Sequence, residues 1–288
     1  MRTTDGLDLE RLFRDDVQVP SLPIIYRRIN DAVNNPRCST SDISAIIGDD
    51  PGLTSRLLRL VNSAFYGYPS GIGTISRALL IVGTHQLRDL ALGTSIIELF
   101  KGISRTLVDM ESFCRHSIAC GLAAKILGTY CQTQSTAESF FVAGLIHDIG
   151  RLLIYKKRPE SAGKALALAR DKGELLHKSE RAVFGFNHTD VGRLLIRRWN
   201  LPPSLEEVAA YHHNPTSAVF YPMESAVVHV ADIIANGMQL GSSGECLVPP
   251  LNERAWELLG LRVSVLSPVM DQLEREAAEV QQLIFENT

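Results

Sequence analysis

Residues 140–155 read FFVAGLIHDIGRLLIY and place a histidine and an aspartate inside an otherwise apolar stretch. Apolar side chains on most faces of this stretch predict one buried helix over residues 137–155. A carboxylate that is buried without a partner is energetically costly, so Asp148 requires a neutralising group. A metal ion held by His147 and Asp148 would supply it, and Gly150 would let a neighbouring backbone come close.

Helical spacing of apolar residues extends along nearly the whole chain, and no segment shows convincing strand alternation. Two helix starts are marked by their capping residues. Ser39 and Asp42 predict a capping box, and the pair Asp50-Pro51 predicts the start of the next helix. The predicted fold class is therefore all-α.

Composition excludes several classes of protein. The chain has 288 residues, of which 45% are hydrophobic, so it can bury a core. A net charge of -3 argues against general attraction to nucleic acid or to an anionic membrane. No apolar run is long enough to cross a bilayer, and five cysteines without a Cys-x-x-Cys pair argue against disulfides and a cysteine zinc site. We expect a cytoplasmic protein that neither binds nor crosses membranes.

Further candidate ligands lie between residues 116 and 232. His116 falls within a predicted helix, His188 at a helix start, and Asp232 in a later helix, while His212 and His213 form a pair before a proline. Imidazoles and carboxylates suit iron, manganese or zinc. The alternative is a buried hydrogen-bond network without a cation. Three other histidines are predicted to cap, pack or face solvent instead: His85, His177 and His229.

These motifs together resemble a known family. His116, the run His147-Asp148-Ile149-Gly150 and Asp232 resemble the motifs of the HD superfamily of metal-dependent phosphohydrolases. A second set of motifs resembles the signature of HDOD domains: DPGLT (50–54), LLRLVNSAFYG (57–67), ALLIVG (78–83), Glu180, HTDVG (188–192), WNLP (199–202) and YHHNP (211–215). The resemblance covers about residues 18–240 in family order.

The resemblance implies a multi-helix HD-superfamily bundle with an amino-terminal helical lobe. An extension would occupy residues 1–17 and the HDOD domain residues 18–240, with the lobe in 18–101 and the metal-site bundle in 102–240. The helices of residues 241–288 would pack on the bundle.

The resemblance also implies a centre for two divalent metal ions. The metal would be iron, manganese or zinc. His116, His147, Asp148 and Asp232 would bind the first ion. Asp148 would bridge to a second ion, and the remaining ligands of that ion would be His188, His212 and His213.

HDOD domains are regarded as regulatory output modules in bacteria, so we expect a signal-transduction protein that acts by binding signalling proteins or a small phosphorylated ligand. The alternative is a metal-dependent phosphodiesterase acting on a nucleotide or cyclic nucleotide, with Asp148 and Arg151 as catalytic residues and Arg151 steadying phosphate. The related HD-GYP enzymes carry lysine where this chain has Arg151, some carry glutamate where it has Ser112, and their Gly-Tyr-Pro motif is missing. These departures favour the regulatory interpretation.

Residues 39–62 have the appearance of a helix-turn-helix, which would suit DNA binding. Their second helix offers only Arg56 and Arg59 as polar base readers, and much of it is apolar. Core packing explains the pattern better, so we do not expect a nucleic-acid partner.

Overall fold

The computed structural model describes residue 9 and residues 22–62, 71–99, 103, 107–131, 133 and 135–285. These residues form helices and no strand, so the predicted all-α class is confirmed. The amino-terminal lobe contains α1 (Ile24–Val33), α2 (Thr40–Gly48), α3 (Pro51–Val61), α4 (Ile75–Val82) and α5 (Thr84–Leu99). The chain continues with α6 (Met110–Tyr130), α7 (Ala137–Ile146), α8 (Ile149–Lys157), α9 (Pro159–Lys172), α10 (Leu176–Phe184), α11 (His188–Arg198), α12 (Pro203–Tyr211), α13 (Pro222–Gly237), α14 (Glu253–Leu259) and α15 (Leu266–Phe285).

Both predicted helix starts are confirmed. The Ser39 hydroxyl accepts a hydrogen bond from the Asp42 amide, and the Asp42 carboxylate accepts one from the Ser39 amide, which completes the capping box before α2. The Asp50 carboxylate caps α3 by accepting from the Leu53 amide, with Pro51 in the first turn. Local capping chemistry therefore sets these boundaries.

The prediction of one helix over residues 137–155 is wrong. Helix α7 ends at Ile146, α8 begins at Ile149, and Asp148 leaves the helical conformation with φ -94° and ψ 14°. Adjacent side chains on an unbroken helix point about 100° apart. The break lets His147 and Asp148 both face the same interior point, although the apolar pattern runs through it without interruption.

Helix α6 lies at the middle of the bundle, against α7, α13 and α15. Helix α8 packs on α11, and α11 packs on α12, while α5 of the lobe packs on α7. One apolar core is continuous through the lobe and the bundle, and it includes Leu57, Leu90, Leu122 and Val227. The candidate ligands lie on five segments: α6, the break between α7 and α8, α11, the end of α12, and α13. The helices of all five segments pack against other helices.

The predicted boundaries of the lobe are only partly described. Residues 100–102 lie outside the described residues, as does the predicted extension except for residue 9, so this division of the chain stays a prediction. After the bundle, α14 packs on α13 and α15 packs on α6. Within the described part of the chain, no helix combines the length and the apolar character that crossing a bilayer requires.

Candidate metal centre

The candidate ligands converge in two groups that we call the inner and outer clusters. The inner cluster consists of His116, His147 and Asp232, and the outer cluster of Asp148, His188, His212 and His213. Within each cluster the ligand atoms lie within 4.8 Å of one another. All seven predicted metal ligands thus lie in these two groups.

The inner cluster is completely enclosed. Helix α6 contributes His116, the end of α7 contributes His147, and α13 contributes Asp232, all three of them buried. Oδ1 of Asp232 lies 3.2 Å from His116 Nε2 and 3.6 Å from His147 Nε2. The same oxygen accepts a hydrogen bond of 2.8 Å from the Asn236 side chain, which fixes its direction.

Asp148 faces both clusters. Its Oδ1 lies 3.1 Å from His188 Nε2 and 3.6 Å from His212 Nε2. Its Oδ2 lies 3.5 Å from His147 Nε2 in the inner cluster. His213 Nε2 completes the outer cluster at 3.1 Å from His188 Nε2. One carboxylate therefore stands where a ligand bridging two positions would stand.

Three histidines are oriented by hydrogen bonds from Nδ1. His147 Nδ1 donates to the Gly144 carbonyl at 2.7 Å, and His212 Nδ1 to the carbonyl of residue 208 at 3.1 Å. His188 Nδ1 donates to Glu180 at 2.6 Å. With the proton on Nδ1, Nε2 presents a lone pair to the centre, as metal-binding histidines do.

Arg151 Nε also lies 3.2 Å from His188 Nδ1. A nitrogen that donates to Glu180 has no lone pair left to accept from arginine. The shorter contact, to Glu180, therefore decides the tautomer of His188.

Several buried polar atoms of the centre have no hydrogen-bond partner among the described residues. They are both ring nitrogens of His116, His147 Nε2 and Asp148 Oδ1. Two lone pairs that face each other at about 3 Å repel unless a proton or a cation lies between them. The donor set of imidazoles and carboxylates suits a divalent metal ion, so the residues present fit such a group.

Electrostatics keeps the carboxylates ionised. Burial alone would raise the pKa of Asp148, but Arg151 and the adjacent histidines hold it well below its usual range. Burial would likewise raise the pKa of Asp232, and the adjacent imidazoles of His116 and His147 reverse that effect. The centre therefore presents two anionic carboxylates in a buried setting.

The imidazoles divide into two kinds. Burial lowers the pKa of His212 to about 4, so this ring is neutral at neutral pH. Burial would also lower the pKa of His147, but the adjacent Cys120 and Asp148 side chains raise it well above its usual value. His147 therefore takes up a proton more readily than an ordinary histidine, whereas His212 does so less readily.

The structure gives Arg151 a position that the sequence does not indicate. Its side chain is only 1% exposed, with Nη1 3.2 Å from Asp148 Oδ2 and Nε 3.6 Å from Glu180 Oε1. Nη1 also donates to the Ser243 hydroxyl, and Nη2 lies 3.9 Å from Glu245. The predicted contact with phosphate stays a prediction, and it would require Arg151 to leave these partners.

Sequence reasoning missed three of these residues as parts of the centre. Glu180 was noted only as part of a family motif, although its spacing of eight residues from His188 is a usable signal. Ser243 and Glu245 lie in a short segment rich in glycine and serine that carries no such signal.

The other three histidines lie outside both clusters. His229 Nδ1 donates to the His212 carbonyl, and its Nε2 accepts from the Asn252 amide. The His177 ring stacks on His213 with 4.3 Å between centroids. His85 is exposed on α5.

The fold and the two clusters define an all-helical protein with a histidine–aspartate centre at the break between two helices. The sequence model of the HDOD domain matches residues 19–215, which is more than half of the chain. The chain belongs to the HDOD family.

A relative in sequence matches about two thirds of the chain. An uncharacterized protein of Treponema pallidum (strain Nichols) is 29% identical over 198 residues, covering 68% of this chain and 38% of that protein. The match therefore spans well under half of the relative's length.

Three solved structures are similar in fold. An HDOD domain protein of unknown function from Geobacter sulfurreducens has a TM-score of 0.82 at 23% identity, covering 97% of this chain and 98% of that one. A proposed phosphohydrolase from Shewanella amazonensis SB2B has a TM-score of 0.74 at 22% identity, with 97% of each chain covered. A proposed signal transduction protein from Marinobacter aquaeolei VT8 has a TM-score of 0.74 at 18% identity, covering 97% of this chain and 64% of that one. These likenesses confirm the predicted HD-type fold.

Proposed function

We propose that this protein is a signal-transduction module that binds two divalent metal ions in its helical core and acts by binding a small phosphorylated ligand or a signalling protein. The observation that carries this proposal is the position of Asp148. Its two oxygens face different sets of histidines, so that seven donors form two adjoining positions.

The balance of buried charge supports the presence of cations. Four carboxylates are buried in and around the centre: Asp148, Glu180, Asp232 and Glu245. Arg151 is a buried arginine that contacts three of them, Asp148, Glu180 and Glu245. Asp232 lies beside His116 and His147 instead. Buried charges that are not compensated destabilise a fold by several kcal/mol each. Two divalent ions would offset the excess of negative charge, and neutral imidazoles with carboxylates suit iron, manganese or zinc.

The enclosure of the centre favours ligand-dependent signalling over turnover. His213 is the partly exposed member of the two clusters, and the other six ligands are buried. Arg151 is held by protein groups and does not face solvent. A centre of this kind can report the presence of a metal or ligand through the helices that hold it.

The second candidate is a metal-dependent phosphohydrolase, favoured by the bridging position of Asp148. When bound, a pair of metal ions would supply Lewis-acid stabilisation of a phosphoryl group and an activated water. In that case His213 would lie on the side from which a substrate enters, since it is the partly exposed ligand.

Metal analysis and a hydrolysis assay test the two candidates in sequence. Protein purified under low oxygen, without added metal or chelator, is expected to contain about two equivalents of iron, manganese or zinc. No metal, and no uptake on reconstitution, would contradict the metal centre and with it both candidates.

The loaded protein is then incubated with bis(p-nitrophenyl) phosphate and with cyclic dinucleotides. The signalling proposal expects no turnover, together with a metal-dependent rise in melting temperature when a phosphorylated ligand is present. Turnover that disappears in Asp148→Ala and persists in Asp171→Ala, which changes an exposed carboxylate on α9, would establish the phosphohydrolase instead.

A further inference from the structure

Residues 241–246, which we call the strap, follow α13 and lie next to the metal centre. Although the strap reads GSSGEC, Ser243 is 1% exposed and Glu245 is 7% exposed. Gly241 and Gly244 have φ of +89° and +107°, and a Cβ at either position would overlap neighbouring atoms. The strap is therefore tightly seated, and it lies outside the residues that the family model matches.

The strap is bonded to two helices that carry metal ligands. The Ser242 amide bonds to both oxygens of Ser112, one turn before His116 on α6, at 3.0 Å to the hydroxyl and 3.1 Å to the carbonyl. The Tyr155 hydroxyl on α8 donates to the Ser243 carbonyl at 2.8 Å. The strap thus connects the helix of the inner cluster with the helix that begins beside Asp148.

Glu245 extends these connections to α10. Its Oε2 accepts a hydrogen bond of 2.9 Å from the Leu176 amide at the start of α10, the helix that carries Glu180. Its Oε1 accepts from the backbone amides of Cys246 and Leu247, at 3.0 and 3.2 Å. The carboxylate is therefore fixed in direction as well as buried.

Arg151 is shared between the strap and the candidate bridging ligand. Nη1 lies 2.5 Å from the Ser243 hydroxyl and 3.2 Å from Asp148 Oδ2, while Nη2 lies 3.9 Å from Glu245 Oε2. A buried guanidinium turns toward whichever acceptors remain to it. Without the strap contacts Arg151 would bind Asp148 more closely and compete with metal for the same oxygen.

We propose that Ser243 and Glu245 are positioning residues of the metal centre, holding Arg151 so that Asp148 remains available as a bridging ligand. This inference rests on the proposed metal centre. Since coupling between two sites is reciprocal, metal binding in turn stabilises the strap and fixes the start of the segment that leads to α14 and α15.

The first test measures metal affinity in variants of the strap. Ser243→Ala and Glu245→Gln are expected to lower the affinity for Mn²⁺ about 10- to 100-fold, the effect typical of groups that orient metal ligands. Ser243→Thr keeps the hydroxyl and should restore affinity to within about threefold of the wild type. The matched control is Glu276→Gln, because Glu276 is a buried glutamate on α15 outside both clusters. The affinity of this variant for Mn²⁺ should equal that of the wild type.

The second test uses the wild-type protein, so it does not depend on whether a variant folds. Hydrogen exchange of the amides in residues 242–247 is measured with and without Mn²⁺, and the amides of α2 in the lobe serve as the reference. Metal should slow exchange in the strap about tenfold and leave α2 unchanged.

The outcomes separate this inference from the metal centre itself. A wild-type protein that binds no Mn²⁺ overturns both. A wild-type protein that binds Mn²⁺, with strap variants of equal affinity or with unchanged exchange in residues 242–247, overturns the positioning role alone.

Discussion

The inner and outer clusters meet at Asp148 but differ in how the protein supports their ligands. In the outer cluster, His188 and His212 each have Nδ1 fixed by a protein acceptor. In the inner cluster, His116 has no hydrogen-bond partner for either ring nitrogen among the described residues. Within the inner cluster, His147 Nδ1 is also fixed, by the Gly144 carbonyl. The difference between the clusters therefore lies at His116, whose orientation would depend on a cation rather than on a protein hydrogen bond.

The clusters also differ in access. The three inner ligands are buried, and in the outer cluster His213 is partly exposed with the His177 ring stacked on it. Anything that reaches the centre from solvent meets the outer cluster first. We therefore expect a division of roles, in which the inner position contributes to stability and the outer position contacts the proposed ligand.

The shared ligand provides the strongest test of the comparison. Asp148→Ala should remove both metal ions, because each position loses a carboxylate oxygen, and should lower the free energy of unfolding by about 3–5 kcal/mol since Arg151 loses a buried anion. Elemental analysis and chemical unfolding measure the two effects, with Asp171→Ala as the exposed control. Retention of one full equivalent of metal would show that Asp148 serves a single cluster.

Gly150→Ala should damage the outer cluster selectively. A Cβ at Gly150 would overlap the His188 carbonyl and the Gly192 amide, so α8 and α11 would have to separate. We expect a loss of about 3 kcal/mol in unfolding free energy and weaker binding of one metal ion. In the control Gly163→Ala the new Cβ meets a Leu107 side-chain carbon at 3.5 Å, so stability should be unchanged or raised by up to about 1 kcal/mol. Equal losses in both variants would contradict the close approach at Gly150.

Much of this arrangement could be predicted from the sequence because its signals are local or follow family order. The capping residues Ser39 and Asp50 bond within three residues, so their helix starts are visible in the sequence itself. The seven candidate ligands were each indicated by a motif. Their side chains come together because the packing of α6, α7, α8, α11, α12 and α13 brings distant motifs into one centre.

The remaining features depend on tertiary structure. The break at His147 and Asp148 is hidden because apolar residues continue on both sides of it, and periodicity describes only which faces are buried. The contact between Arg151 and Ser243 joins residues 92 positions apart, and no local pattern in a segment rich in glycine and serine indicates it.

Glu180→Gln sharpens the comparison by removing support from one cluster only. Glu180 accepts from both the Nδ1 and the backbone amide of His188, and it lies 3.6 Å from Arg151. Losing its charge should weaken the outer metal position about 10- to 100-fold and leave the inner position within about twofold. Titration with Mn²⁺ by calorimetry resolves the two sites, and Glu174→Gln, which changes a partly exposed glutamate before α10, is the control. Equal weakening of both sites would mean that the clusters are supported as one unit.

The pH dependence of metal binding should be the smallest effect and should be shared by both clusters. Burial alone would lower the pKa values of His147 and His188, but the surrounding acidic side chains outweigh it and raise both. Metal therefore competes with a proton for these two rings, whereas His212, with a pKa of about 4, has none to lose at neutral pH. Affinity should fall about tenfold per unit as pH drops below the raised pKa values. A pH-stat titration with Mn²⁺ at pH 7 should release about one proton per ion. Release of none would show that neither His147 nor His188 carries a proton that the metal has to displace.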